Sequence, residues 1–123
     1  RASMTIQEAI TYANAVKPNA FDNDTLTRWL NEVEGMVQTQ VLLLRTEAII
    51  TYTYEKDANT TMLVRPPHDK LYPAYLEARI DFANGEYERY QNTSQLFNSF
   101  FKEFMRWYAT NYNPAEAYEE GLI

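Results

Sequence analysis

The residues of this chain that could do chemistry are its carboxylates and one histidine. Asp22 and Asp24 stand two apart, like the first ligands of a calcium loop. That loop needs a glycine at its sixth position and a glutamate at its twelfth; here those positions hold Thr27 and Val33, so the pair reads as helix caps. Glu77 and Asp81 share a helical face at a four-residue spacing. With Arg79 and Lys70 near in sequence, they read as a solvated charged face in preference to a metal site. Glu86 and Glu88 fall on different sides of a helix and do not pair as acid and base. His68 follows Pro66-Pro67, and a catalytic histidine needs a positioned partner. It reads as structural or solvent-exposed. There is no cysteine, which excludes disulfides and thiolate metal sites. Neither a glycine-rich phosphate loop nor a Gly-x-Ser-x-Gly elbow occurs. Asn23, Asn59 and Asn92 begin Asn-x-Ser/Thr triplets, which carry no meaning without a secretory signal. No cofactor and no metal are expected.

Composition narrows the class. A chain of 123 residues fits one domain with a core that needs no staples. The net charge is −6 and the basic residues are scattered singly. Nucleic-acid affinity rests on clustered cations, so a specific DNA or RNA binder is not expected, and Arg106-Trp107-Tyr108 reads as core packing, not base stacking. No apolar run reaches membrane-span length, and no signal peptide is read at the N-terminus. Arg1-Ala2-Ser3 ahead of Met4 reads as a cloning remnant. Residues 4–112 read as one helical domain, and 113–123 as an acidic, loosely ordered tail.

Thr5-Ile6-Gln7-Glu8 has capping-box spacing and predicts a first helix that stops at Lys17-Pro18. Asp22 to Thr25 caps a second, whose apolar period from Leu26 through Trp29, Leu30, Val33, Val37 and Val41 to Leu44 runs about 20 residues. Gly35 inside it suggests close approach of another helix. The β-branched and aromatic run Ile49 to Tyr54, a turn at Lys56 to Thr60, and Met62-Leu63-Val64 predict a short β-hairpin or extended loop near 48–65. A third helix is expected from an Asp69 cap through Tyr90. Gln91 to Ser94 should break the run and start a fourth. The fold class is therefore mostly all-α, with about four helices packed antiparallel.

Between Leu71 and Tyr108 lie eleven aromatic residues. That is more ring surface than one small core usually hides. In the fourth helix Leu96, Phe100, Phe104, Trp107 and Tyr108 form one face, and Phe97, Phe101 and Met105 a second. Two apolar faces imply burial on two sides. The candidate subunit or partner interface is accordingly Tyr52, Tyr54, Leu63, Phe97, Phe101 and Met105. The pattern suggests packing and assembly, not catalysis.

Several runs resemble small proteins encoded by tailed bacteriophages and prophages. They are Leu63-Val64-Arg65-Pro66-Pro67-His68-Asp69-Lys70-Leu71-Tyr72, Tyr75-Leu76-Glu77-Ala78-Arg79-Ile80-Asp81-Phe82-Ala83-Asn84-Gly85-Glu86-Tyr87-Glu88-Arg89-Tyr90, and Phe104-x-Arg106-Trp107-Tyr108. Ile6 to Ile10, Lys17-Pro18-Asn19 and Trp29-Leu30 continue the likeness, which spans Met4 to about Tyr112. In size and helical layout those proteins are similar to head–tail connector proteins, also called adaptor or head-completion proteins. The resemblance implies a non-catalytic ring, commonly of twelve copies, docked beneath the portal and receiving the next connector or tail protein. Genomic DNA would pass through it without specific binding. It implies assembly in the bacterial host cytoplasm and final location at the virion head–tail joint, with no membrane and no secretion. It transfers no functional residue motif. Two other readings stay open. One is a phage accessory protein outside the virion, an assembly chaperone or a regulator that binds a host protein. The other is an enzyme or nucleic-acid binder with a site the sequence does not announce.

Overall fold

The computed structural model describes residues 3–111, and the expected acidic tail 113–123 lies outside them. The described chain is mostly α-helical, with five α-helices and no strand: α1 Ile6–Val16, α2 Asn23–Met36, the single turn α3 Tyr54–Asp57, α4 Leu71–Ala83 and α5 Tyr87–Asn111. Among these residues no helix is long and apolar enough to cross a membrane.

The first two helices begin where their caps place them. Thr5 Oγ1 accepts the Glu8 N–H at 3.0 Å while Glu8 Oε1 accepts the Thr5 N–H at 2.8 Å, the complete capping box. Asp22 Oδ1 accepts the Thr25 N–H at 2.8 Å, and those bonds lower the Asp22 carboxyl below its ordinary value. The periodic segment after Asp22 is α-helical to Met36 and then widens into a π-helical turn, Val37–Val41. Gly35 meets no approaching helix: a β-carbon built there would have nothing within 4 Å.

α4 lies at the centre. Leu71, Tyr72, Leu76 and Ile80 are buried on it together with Ala74, Ala78 and Asp81, so no one stripe faces the core. α1, α2 and α5 all pack against it. It starts from the 3₁₀ turn His68–Lys70, and Lys70, not Asp69, stands at the cap position.

The break between the last two helices also differs from expectation. α4 ends at Ala83, and α5 runs without interruption through Gln91 to Ser94. Asn84-Gly85 makes the turn. Gly85 has φ 74°, its N–H bonds Phe82 O at 3.0 Å, and the Glu86 N–H bonds Asp81 O at 2.9 Å. That is a Schellman stop, which needs a left-handed residue and finds glycine. Gln91 to Ser94 does not break α5 because its hydroxyls find partners in helical geometry. Thr93 Oγ1 lies 3.1 Å from Arg89 O and 3.0 Å from Asp81 Oδ2, and Ser94 Oγ lies 3.2 Å from Gln91 O.

Candidate functional site

Segment 49–64 forms no hairpin. Its backbone is extended at Ile49 (φ −69°, ψ 128°) and Thr53 (φ −121°, ψ 145°), but its partner is a row of polar side chains on α2 and the π-helical turn that follows it. Gln38 Oε1 accepts the Ile50 N–H at 2.7 Å and Gln38 Nε2 donates to Ile50 O at 3.0 Å. Asn31 does the same for Tyr52: Oδ1 accepts its N–H at 2.8 Å and Nδ2 donates to its carbonyl at 2.9 Å. An amide carries one acceptor and one donor group side by side, as a strand neighbour does. Two amides seven residues apart thus hold alternate residues in strand-like geometry without a strand. The second run, Met62 to Val64, pairs elsewhere: Met62 N–H bonds Met4 O at 2.9 Å, and Thr5 and Thr61 form an isolated antiparallel bridge.

Between the two amides sits Glu34, wholly buried. Its Oε2 accepts Tyr52 Oη–H at 2.7 Å and the Leu63 N–H at 2.9 Å. Its Oε1 accepts the hydroxyl of Tyr72, which in turn accepts the Val64 N–H at 2.9 Å. Burial raises the Glu34 carboxyl above its ordinary value, and the bonds from Tyr72, Tyr52 and Leu63 pull against that rise. Burial, and then the Glu34 charge, push both tyrosine hydroxyls up. Every donor on the carboxylate comes from the fold itself, so its role is positional: it ties α2, α4 and the 52–64 segment to one point.

A second polar knot joins α1 to the α4–α5 hairpin. Asp81, read from sequence as solvated, is 2% exposed. Lys17 Nζ reaches its Oδ1 at 3.0 Å, from just beyond the end of α1. Glu77 on the same face has its carboxyl raised, first by burial and then by Asp81, with Lys17 opposing. Lys17 also serves a buried acid, which is why these carboxylates do not form a solvated row. Arg79 turns the other way, 3.5 Å from Glu32 Oε1 and over the rings of Trp29 and Phe82.

The candidate interface residues separate. Phe97 and Phe101 are 5% exposed, with ring centroids 5.7 Å apart, and Tyr75 stands edge-on to Phe97 at 4.9 Å. They belong to the protomer's own core. Tyr52 is buried in the Glu34 network, Tyr54 and Leu63 are half-buried, and Met105 is 37% exposed. His68 is buried between Phe104 and Trp107, at 5.9 and 5.0 Å between centroids. Leu96, expected on the main apolar face, points outward.

Three exposed apolar groups lie elsewhere. Phe82 and Tyr87 stand 5.8 Å apart at the α4–α5 turn. Tyr12 and Val16 line the outer face of α1. Leu43 and Leu44 follow the π-helical turn, and Ile50 is bonded to Gln38 within it. Among the described residues no cluster of three or more His, Asp or Glu could hold a metal ion. No family model, curated protein or solved structure matches the chain.

The sequence reading missed Asn31, Glu34 and Gln38. The signal was present in Glu34 and Gln38, which sit beside Val33 and Val37 on the face that the period assigns to the core. A carboxylate and an amide on a buried stripe require donors, and the nearest donor-rich segment without helical period is 49–64.

Proposed function

We propose that the chain is a head–tail connector of a long-tailed bacteriophage, a non-catalytic ring subunit seated between the portal and the next connector or tail protein. The observation that carries this reading is the resemblance of residues 63–90 and 104–108 to small phage-encoded proteins. A mostly helical body with one largely extended segment, here pinned by Asn31, Glu34 and Gln38, supports that reading. Such an excursion suits a subunit that must present a fixed surface to several neighbours. Aliphatic residues left exposed beside it, Leu43, Leu44 and Ile50, suit the same role.

Deletion of the gene in its parent phage or prophage, with electron microscopy of the lysate, tests the reading. The expected result is DNA-filled or leaking heads beside unattached tails. Normal infectious particles would overturn it and favour an accessory protein acting outside the virion.

A further inference from the structure

Leu43 is placed against two preferences at once. Its φ of 56° lies in the left-handed region, which crowds the β-carbon of any L-residue and at a helix end is ordinarily given to glycine. Its side chain is 77% exposed, so the protomer gains little apolar burial in return. The turn holds it there firmly. Leu42 N–H bonds Val37 O at 3.0 Å, and Leu44 N–H bonds Gln38 O at 2.9 Å. Gln38 is the same buried residue whose side chain grips Ile50. Leu44 and Ile50 are therefore tied to one anchor, and with Leu43 they form an exposed aliphatic knob, with exposed Arg45 next in the chain. Strain that the surroundings enforce, with no return inside the molecule, points to a return outside it.

An exposed aliphatic knob needs an apolar seat. An open groove of about 570 Å³ runs along the outer face of α1 between Gln7, Glu8, Thr11, Tyr12, Ala15 and Asn59. Exposed Tyr12 and Ala15 give it apolar surface. Glu8 spends Oε1 on its capping box, and its Oε2 has no hydrogen bond among the described residues. No residue belongs to both knob and groove.

We propose that the knob of one copy seats in the α1 groove of the next, Leu43 leading and Arg45 meeting Glu8. Because the two surfaces differ, the contact is head-to-tail. Such contacts close into rings when their rotation allows. This deepens the connector reading and rests on it for where the ring sits.

The absence of cysteine makes the test clean. A variant carrying both Leu43→Cys and Tyr12→Cys should give a ladder of disulfide-linked oligomers under mild oxidation, while each single variant gives none. A dimer from Leu43→Cys alone would mean knob meeting knob and would overturn the proposal. Leu43→Gly provides the second arm, because it relieves the backbone while deleting the knob. Its melting temperature should rise by roughly 4 °C while self-association by sedimentation weakens about thirtyfold. An unchanged association constant overturns the contact, as does a wild-type chain that stays monomeric at every attainable concentration. Unattached tails in the deletion phage together with such a monomer would sink this contact and leave the connector reading standing. A ladder together with normal particles would do the reverse.

Discussion

Two halves of the molecule are ordered by opposite means. The α4–α5 hairpin is held by rings: Tyr72, Phe97, Phe101 and Phe104 are buried, and His68 is sandwiched beside Trp107. Segment 49–64 is held by hydrogen bonds to its backbone, from the side chains of Asn31, Glu34 and Gln38 and from the backbone of residues 4–7. The first kind of order is strong and indifferent to detail, since burial is nondirectional. The second depends on a few directed bonds, each of which leaves an orphaned buried group if its partner is removed. The contrast teaches that loop order and core stability can be separated within one small domain.

Removing rings should therefore unfold everything. Phe104→Ala, and similarly Phe97→Ala or Phe101→Ala, is expected to cost about 3–5 kcal/mol in urea denaturation. A loss below about 1 kcal/mol would show that these rings are not core, and would return Phe97 and Phe101 to an intermolecular role. Next in size is Glu34→Ala, which orphans two tyrosine hydroxyls and the Leu63 N–H; about 2–3 kcal/mol is expected.

Glu34 also gives the comparison a pH axis. Its folded carboxyl lies above the ordinary value of 4.5, so the folded state holds the proton more tightly than the unfolded one. Its contribution is greatest below that value and falls as pH rises through the raised folded value. Glu34→Gln should remove this decline from a plot of urea midpoint against pH. A wild-type plot that climbs over the same range, and stays unchanged in the variant, would refute the assignment.

Smaller and more local effects are expected from the amides. Gln38→Ala or Asn31→Ala should cost roughly 1–2 kcal/mol. In hydrogen exchange the Ile50 or Tyr52 amide should lose protection while the α5 amides keep theirs. Equal loss in α5 would mean the two halves open together. The smallest effect has the opposite sign. Gly35→Ala places a methyl in open space within a helix and should stabilise by about 0.5–1 kcal/mol, read as a higher melting temperature.

The parts of the fold legible in the sequence are those written locally. Thr5 and Asp22 announced their helices because a cap is a contact between residues three apart. The class was legible because apolar periods are long. The Asn84-Gly85 stop was equally local and was missed; the break was placed instead at Gln91 to Ser94, whose hydroxyls bond within the helix and do not end it. The extended nature of Ile49 to Tyr52 was readable from its β-branched residues, while its partner was not. Strand-like segments suggest strand partners, whereas Asn31 and Gln38 lie 21 and 12 residues upstream on a helix. Asp81 was misread because nothing local links it to Lys17, which α1 brings across the fold. Tyr52 and Leu63 were singled out for a surface and prove to feed one buried carboxylate. Aromaticity and extension mark a residue as important without saying to what.

The amides of Asn31 and Gln38 grip peptide groups and ignore what those peptides carry. At the exposed positions beside them the path of the loop is thereby uncoupled from its own spelling, while Tyr52, Met62 and Val64 stay committed to the core. At Ile50 and Thr51, where side chains face outward, nearly any residue but proline would preserve the same path. A lineage bearing this scaffold could rewrite the letters it shows to neighbours and keep the loop standing in the same place.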